Sequence, residues 1–78
     1  MRQQLYGLRL GEYDERFRNQ NGCCDICKQP SERTLHVDHD HVTGKVRGLL
    51  CAACNFGLGA FRDSVLDLRR AIEYLTKI

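Results

Sequence analysis

The hydrophobic positions divide the chain into stretches with different periodicities. Residues 1–20 carry apolar side chains at helical spacing, which predicts two short helical stretches interrupted at Gly7 or Gly11. The apolar side of these stretches consists of Leu5, Leu8, Leu10, Tyr13 and Phe17. The dipeptide Asn21-Gly22 then predicts a turn into the next segment.

Residues 33–50 predict a β-hairpin, because two short strand-like runs flank a turn signal. Residues 34–37 form the first strand, Thr43-Gly44 the turn, and residues 45–50 the returning strand. The hairpin places several polar side chains, those of residues 38–41, at the end of its first strand.

Two helices are expected after the hairpin. The first runs from about Ala52 to Ala60. The second begins at Ser64, where the spacing of Ser64 and Asp67 fits a capping box. Apolar residues recur at helical spacing in this last helix, so we expect one face of it to pack. These residues are Val65, Leu68, Ile72 and Leu75.

The order of elements and the length of 78 residues predict one small α+β domain over residues 1–78. We divide it into N-terminal helices at 1–22, a metal-bound core at 23–62 and a C-terminal helix at 63–78. The chain lacks Trp, so its core must be thin and largely aliphatic. A core of this size usually needs a metal, disulfides or a partner to be stable.

Charge and hydropathy limit which partners and which cellular compartment we expect for the chain. The formal net charge of +2 permits binding to nucleic acid without requiring it. No stretch reaches the roughly 18 apolar residues of a membrane span, and no apolar run resembles a secretory signal. We therefore expect a cytoplasmic protein that does not contact membranes. In that compartment paired cysteines favour a metal over disulfides.

Two C-x-x-C pairs, Cys24 with Cys27 and Cys51 with Cys54, are the strongest motif in the chain. A C-x-x-C turn presents two sulfurs at the separation that tetrahedral Zn²⁺ requires, so the pairs predict one structural zinc site. Disulfides or free thiols are the alternatives. Cys23 is a spectator in this interpretation, although a different register could use it in place of Cys24.

Asp38, His39 and Asn55 suggest a second site of different chemistry. A carboxylate and an amide oxygen are hard ligands suited to Mg²⁺ or Mn²⁺, and an imidazole is a natural general base at neutral pH. Adjacent residues of a regular strand point to opposite faces, so Asp38 and His39 can share a site only if the strand ends or bends there.

Each of these residues also has a simpler interpretation. The Asp and His run could be a solvated strand edge or a transition-metal site, and Asn55 could be an ordinary helix-start residue. His36 and His41 could orient a phosphate or only form hydrogen bonds. Arg47 and Lys45 are candidate phosphate contacts, the alternative for Arg47 being a charge that protects a strand edge.

The run from Leu35 to Cys51, followed by Cys54-Asn55 and Gly57-Leu58-Gly59, resembles the recombination endonuclease VII family of HNH, or His-Me finger, nucleases. The resemblance covers nearly the whole chain. It implies a ββα-metal fold held by a four-cysteine zinc site, and cleavage of DNA with a divalent cation.

Position by position, the resemblance implies that Asp38 and Asn55 bind the catalytic Mg²⁺ or Mn²⁺ and that His39 is the general base. It places His41 near the scissile phosphate and assigns zinc to the two cysteine pairs. The broader HNH pattern has a middle Asn, which is missing between His39 and Asn55, and a final His where Asn55 stands. We therefore expect a backbone carbonyl to orient His39.

The expected activity is nicking of DNA with weak sequence specificity, because the helix after Cys51 offers few long polar side chains to read bases. The chain ends at Ile78 without the long dimerising extension of junction-resolving members, so we expect a monomer that does not resolve junctions. No organic cofactor is expected. The alternatives are a non-catalytic, zinc-stapled nucleic-acid-binding module and a protein-interaction zinc knuckle that presents Leu66 and Tyr74.

Overall fold

The computed structural model describes residues 11–31 and 33–77, and also the backbone of Gln4–Leu5 and Leu8–Arg9. In chain order its elements are β1 (Gln4–Leu5), β2 (Leu8–Arg9), α1 (Glu12–Asn19), β3 (His36–His39), β4 (Val46–Leu50), α2 (Ala52–Ala60) and α3 (Val65–Thr76). This is a small α+β arrangement, as the pattern predicts. No helix among the described residues is long and apolar enough to cross a membrane.

The N-terminal region differs from the prediction of two helical stretches in residues 1–22. β1 and β2 pair antiparallel, with Leu5 opposite Leu8, and only α1 is helical, so the prediction is wrong for the first stretch. Gly11 precedes α1 with a φ of 88°. Gly7 and Gly11 leave too short a segment between them to support the costly nucleation of a helix. The apolar side predicted for Leu5, Leu8 and Leu10 concerns side chains outside the described residues.

The central element is the antiparallel hairpin of β3 and β4, which confirms the prediction for residues 33–50. Its register shifts at one point. Asp38 lies opposite Gly48, whereas His39 lies opposite Val46, so Arg47 is the extra residue of a β-bulge. A bulge bends the ladder and re-aims neighbouring side chains. The irregularity falls between the two residues for which the sequence requires a bend.

The core is thin and lies between the hairpin, α1 and the first cysteine pair. Its fully enclosed members are Cys24, Leu35, Leu49 and Leu50. Tyr13 and Phe17 of α1 pack against this cluster as predicted, and the Tyr13 hydroxyl donates a hydrogen bond of 3.0 Å to the Leu35 carbonyl. A cluster this small leaves much of the stability to the elements that tie the cysteine pairs together.

Helix α2 has the predicted bounds. Cys51 is its N-cap, and its C-terminus ends in a Schellman motif. In that motif the Arg62 N–H donates to Gly59 O and the Asp63 N–H donates to Leu58 O, each at 2.9 Å. Arg62 and Asp63 both have positive φ, at 54° and 58°. The chain therefore turns sharply at Asp63 before α3 begins.

Helix α3 begins as predicted, since the Ser64 hydroxyl accepts the Asp67 N–H at 3.1 Å. The prediction that its apolar face packs is wrong within the described chain: Val65, Ile72 and Leu75 are 61%, 62% and 73% exposed. The turn after α2 directs α3 away from the core around the hairpin. The described chain is accordingly elongated, with extents of 52 × 28 × 17 Å.

Candidate functional site

The four cysteines of the two C-x-x-C pairs lie together, and their sulfur atoms all fall within 4.8 Å of one another. Cys27 Sγ and Cys51 Sγ are 4.0 Å apart, far from bonding distance for a disulfide. A tetrahedral zinc with Zn–S bonds of about 2.3 Å places its sulfurs about 3.8 Å apart, so the quartet has the dimensions of a zinc site. Cys23 stands outside the quartet, and its thiol contacts the Asn21 carbonyl at 3.4 Å.

Backbone N–H groups point at two of these sulfurs. The Ile26 N–H lies 3.4 Å from Cys24 Sγ, and the Cys54 N–H lies 3.4 Å from Cys51 Sγ. Burial alone raises the pKa of Cys24, but hydrogen bonds from backbone groups outweigh it and lower the pKa to about 6. Burial and the neighbouring thiols raise the pKa of Cys54 to about 12. Four thiolates this close together would repel one another, so the fully ionised quartet needs a cation among its sulfurs.

The first cysteine pair is fastened to β4 by Gln20, which the sequence analysis did not single out. The Gln20 side-chain amide donates to Leu49 O at 3.0 Å, and its carbonyl accepts the Leu49 N–H at 3.0 Å. The same amide donates to Cys23 O at 2.9 Å. A Cβ at Gly48 would lie 3.0 Å from Asp25 Oδ2, so glycine allows this close approach of the cysteine turn to β4.

The Asp38 carboxylate lies beside the bulge and is 9% exposed. Both of its oxygens accept hydrogen bonds from Arg47, from Nε to Oδ2 at 2.7 Å and from Nη2 to Oδ1 at 3.0 Å. Hydrogen bonding to Asp38 raises the pKa of Arg47 above its ordinary value. Arg47, a candidate phosphate contact by sequence, therefore binds a carboxylate of the candidate site.

Asp63 extends this ion pair into a network. Its Oδ2 lies 3.2 Å from Nη2 of Arg47 and 2.9 Å from Nδ1 of His41. One carboxylate oxygen thus joins the turn after α2 to His41, which follows β3, and to Arg47 in β4. No periodicity or motif marked Asp63. The available signal was an Asp in the turn between two predicted helices, which is too common to identify a site.

The other candidate residues lie in the hairpin and in α2. His39 is half-buried at the end of β3, and Asn55 is half-buried in the first turn of α2, where its N–H donates to Cys51 O at 2.9 Å. Helix α2 packs against both β3 and β4. His36 and Lys45 are exposed. Among the described residues, the cysteine quartet is the one group of three or more His, Cys, Asp or Glu side chains placed to share an ion.

Comparison with known proteins identifies the family. The family model described as recombination endonuclease VII matches residues 1–77. The chain belongs to the recombination endonuclease VII family. No solved structure matches the chain.

The relatives of this chain include two phage proteins that are named by gene number. The chain is 48% identical over 73 residues to the "Gene 59 protein" of Mycobacterium phage L5, an alignment that covers 90% of this chain and 44% of that protein. It is also 48% identical over 75 residues to the "Gene 59 protein" of Mycobacterium phage D29, covering 92% and 46%. The chain thus spans less than half the length of these relatives.

Proposed function

We propose that the chain is an HNH-type DNA endonuclease domain with a ββα-metal centre formed by β3, β4 and α2. The proposed reaction is divalent-metal-dependent hydrolysis of a phosphodiester bond, observed as nicking with weak sequence specificity. The family match over residues 1–77 supports the class of reaction. The register shift between Asp38 and His39 is the single structural observation that supports the proposed site, because the ladder is irregular at the point where a site shared by the two residues requires the strand to end or bend.

The proposed structural metal is Zn²⁺, held by Cys24, Cys27, Cys51 and Cys54. The dimensions of the quartet and its thiol chemistry fit this ion. Cys51 is also the N-cap of α2, where its side chain accepts the Cys54 N–H. The zinc site would thereby fix where α2 begins relative to the hairpin.

Asp38 and Asn55 would hold a catalytic Mg²⁺ or Mn²⁺, with water and phosphate oxygens completing the coordination. When bound, such an ion supplies a positive charge next to the phosphate and the leaving oxygen. A carboxylate and an amide oxygen suit this ion. Arg47 engages both oxygens of Asp38, so we expect an ion that binds this carboxylate to displace the guanidinium. The released guanidinium could then contact a DNA phosphate, the role predicted for it.

His39 would act as the general base. It takes a proton from water as the water oxygen bonds to phosphorus, and the bond from phosphorus to the 3′-oxygen breaks. The 3′-oxygen acquires a proton from solvent, so the products are a 5′-phosphate and a 3′-hydroxyl. His41, Lys45 and His36 are exposed and are the proposed further phosphate contacts. Phosphate contacts carry no base information, which agrees with weak specificity.

Nicking of supercoiled plasmid by the zinc-loaded protein tests this function. Open circles should form with Mg²⁺ or Mn²⁺ and should not form without added cation. His39→Ala should lower the rate at least about a hundredfold, the usual minimum for loss of a general base. The variant must keep the zinc content and melting curve of the original protein. If a folded, zinc-loaded protein fails to nick DNA with every cation tested, the proposal is refuted and a nucleic-acid-binding module remains.

A further inference from the structure

The carboxylate of Asp63 makes contacts that the proposed chemistry does not yet use. Its side chain is 17% exposed, whereas that of His41 is 75% exposed. The contact of 2.9 Å runs from His41 Nδ1 to Asp63 Oδ2, so the opposite edge of the imidazole, with Nε2, is left open to solvent. The residue that binds His41 is therefore enclosed, and the imidazole it holds remains accessible to a ligand as large as DNA.

The contact determines the protonation pattern of the ring. A carboxylate oxygen at this distance is a hydrogen-bond acceptor, so Nδ1 of His41 must carry a proton. In the neutral imidazole, Nε2 then has a free lone pair. A free imidazole in water has no such restriction. Asp63 thus presents His41 with Nδ1 fixed as a donor to protein and Nε2 directed to whatever lies outside.

The same oxygen also orients Arg47. Nη2 of Arg47 lies 3.2 Å from Asp63 Oδ2 and 3.0 Å from Asp38 Oδ1, so it is shared between the two carboxylates. If Arg47 releases Asp38 to let an ion bind, Asp63 still offers an acceptor that keeps the guanidinium near the bulge. The two predicted phosphate contacts, His41 and Arg47, are thus held by one atom.

We propose that Asp63 is a positioning residue of the nuclease site, which fixes His41 as the Nδ1–H tautomer and keeps Arg47 beside it to receive the scissile phosphate. The proposal rests on the proposed function for its role in cleavage, but not for the tautomer. The backbone supports it as well. Asp63 has a φ of 58°, a conformation that Asp tolerates better than most residues and that holds the carboxylate toward the hairpin.

A purely structural role predicts a different outcome. If the contacts of Asp63 only held the turn in place, breaking them would leave the nicking rate of the folded protein unchanged. Loss of a residue that orients a site group typically lowers activity about ten- to a hundredfold. The two roles are therefore separable by measurement.

The test compares two substitutions at Asp63. Asp63→Gly removes the carboxylate and suits the positive φ, so it adds no backbone strain. Asp63→Asn retains an oxygen acceptor. The matched control is Arg62→Gly, because Arg62 has a similar φ of 54° in the same turn and its described side-chain contact is with Asp67. All proteins are the zinc-loaded full chain.

The first readout is the tautomer of His41, measured by nitrogen-15 NMR of the imidazoles in mildly alkaline buffer. We expect Nδ1–H in the original protein and in Arg62→Gly, loss of this preference in Asp63→Gly, and recovery in Asp63→Asn. An Nε2–H form in the original protein, or an unchanged tautomer in Asp63→Gly, would overturn the proposal. Because this readout needs no cleavage, it decides the tautomer claim even if the proposed nuclease function fails.

The second readout is nicking. Asp63→Gly should lower kcat about ten- to a hundredfold, Asp63→Asn should restore most of it, and Arg62→Gly should match the original protein. In a His41→Ala background the loss from Asp63→Gly should shrink, because the residue it positions is gone. Full additivity of the two substitutions, or an unchanged rate in Asp63→Gly, would show that Asp63 does not act through His41 and would overturn its role in cleavage.

Discussion

Arg47 holds both oxygens of Asp38, at 2.7 and 3.0 Å, in the place where the proposed catalytic ion would bind. The guanidinium supplies the positive charge that a carboxylate of 9% exposure needs. Under the proposed function, arginine and a divalent cation would compete for these two oxygen atoms. Arg47 would then have two alternative partners, the Asp38 carboxylate without the ion and a DNA phosphate with it.

Replacing Arg47 by Gln should strengthen Mn²⁺ binding and weaken DNA binding. Without added cation, the unpaired Asp38 should cost about 1–3 kcal/mol of the free energy of unfolding, and Mn²⁺ should recover stability by mass action. The salt dependence of DNA affinity should fall by about one phosphate contact. Melting curves with and without Mn²⁺, Mn²⁺ titration followed by electron paramagnetic resonance, and DNA binding at several salt concentrations measure these effects.

Arg70→Gln is the matched control for this experiment, because Arg70 is an exposed arginine of α3 whose described ion pair is with Asp67. It should change neither the Mn²⁺ affinity nor the response of the melting temperature to Mn²⁺. Equal Mn²⁺ affinity in Arg47→Gln and the original protein would contradict the competition.

Cys51→Ser should remove a proposed zinc ligand while keeping a side chain that can cap α2, and we expect the chain to unfold. Structural zinc contributes about 10–16 kcal/mol of apparent binding free energy in small domains, more than the thin core among the described residues can replace. Circular dichroism and zinc content per chain are the measurements.

Cys23→Ser tests the register of the same site. Cys23 lies outside the sulfur quartet and contacts the Asn21 carbonyl, so its replacement should preserve one zinc per chain and a cooperative melting transition. Loss of zinc from Cys23→Ser together with retention in Cys24→Ser would establish the alternative register.

Elements that depend on local interactions followed from the sequence. The bounds of α2 and the Ser64 cap of α3 rest on hydrogen bonds between residues a few positions apart, and both predictions are confirmed. In the first ten residues, apolar spacing fits a short strand as well as a short helix, and pairing between β1 and β2 decided the outcome.

Contacts between distant positions could not be predicted in this way. Gln20 and Leu49 are 29 positions apart, and Arg47 and Asp63 are 16 apart. Each contact depends on how a turn directs one side chain toward the hairpin, and no periodicity encodes that direction. The sequence motif indicated which residue types form the site, while the partners that orient them became visible only in the fold.

Tyr13 supplies a pH-dependent contribution to stability. Burial, followed by the negative charge of Asp14, raises its pKa above 10.0. The folded state therefore keeps the phenol proton to higher pH than the unfolded state does. The stabilisation is complete below about pH 10, the unfolded pKa, and is lost as the pH rises through the folded pKa.

Tyr13→Phe should accordingly lower the free energy of unfolding by about 1 kcal/mol at neutral pH, the worth of the hydrogen bond to Leu35, and the difference from the original protein should shrink above pH 10. Tyr74→Phe is the control, because Tyr74 is 67% exposed and should have little effect on stability. Denaturant unfolding at neutral and alkaline pH measures the difference. A difference that grows above pH 10 would mean that folding lowers the pKa of Tyr13 instead of raising it.

The Gln20 side chain hydrogen-bonds to both the N–H and the carbonyl of Leu49, as the backbone of a neighbouring strand would. Gln20→Ala would leave the Leu49 N–H without its side-chain acceptor beside a buried side chain, at a cost of about 1–3 kcal/mol. Faster hydrogen exchange of the Leu49 amide should accompany the loss.

Gln29→Ala removes an exposed glutamine from the same cysteine turn and should have little effect on either measurement. Equal destabilisation by the two substitutions would mean that Gln20 is not what fastens the first cysteine pair to β4, and the Asp25 N–H, 3.1 Å from Leu49 O, would then be the main tie.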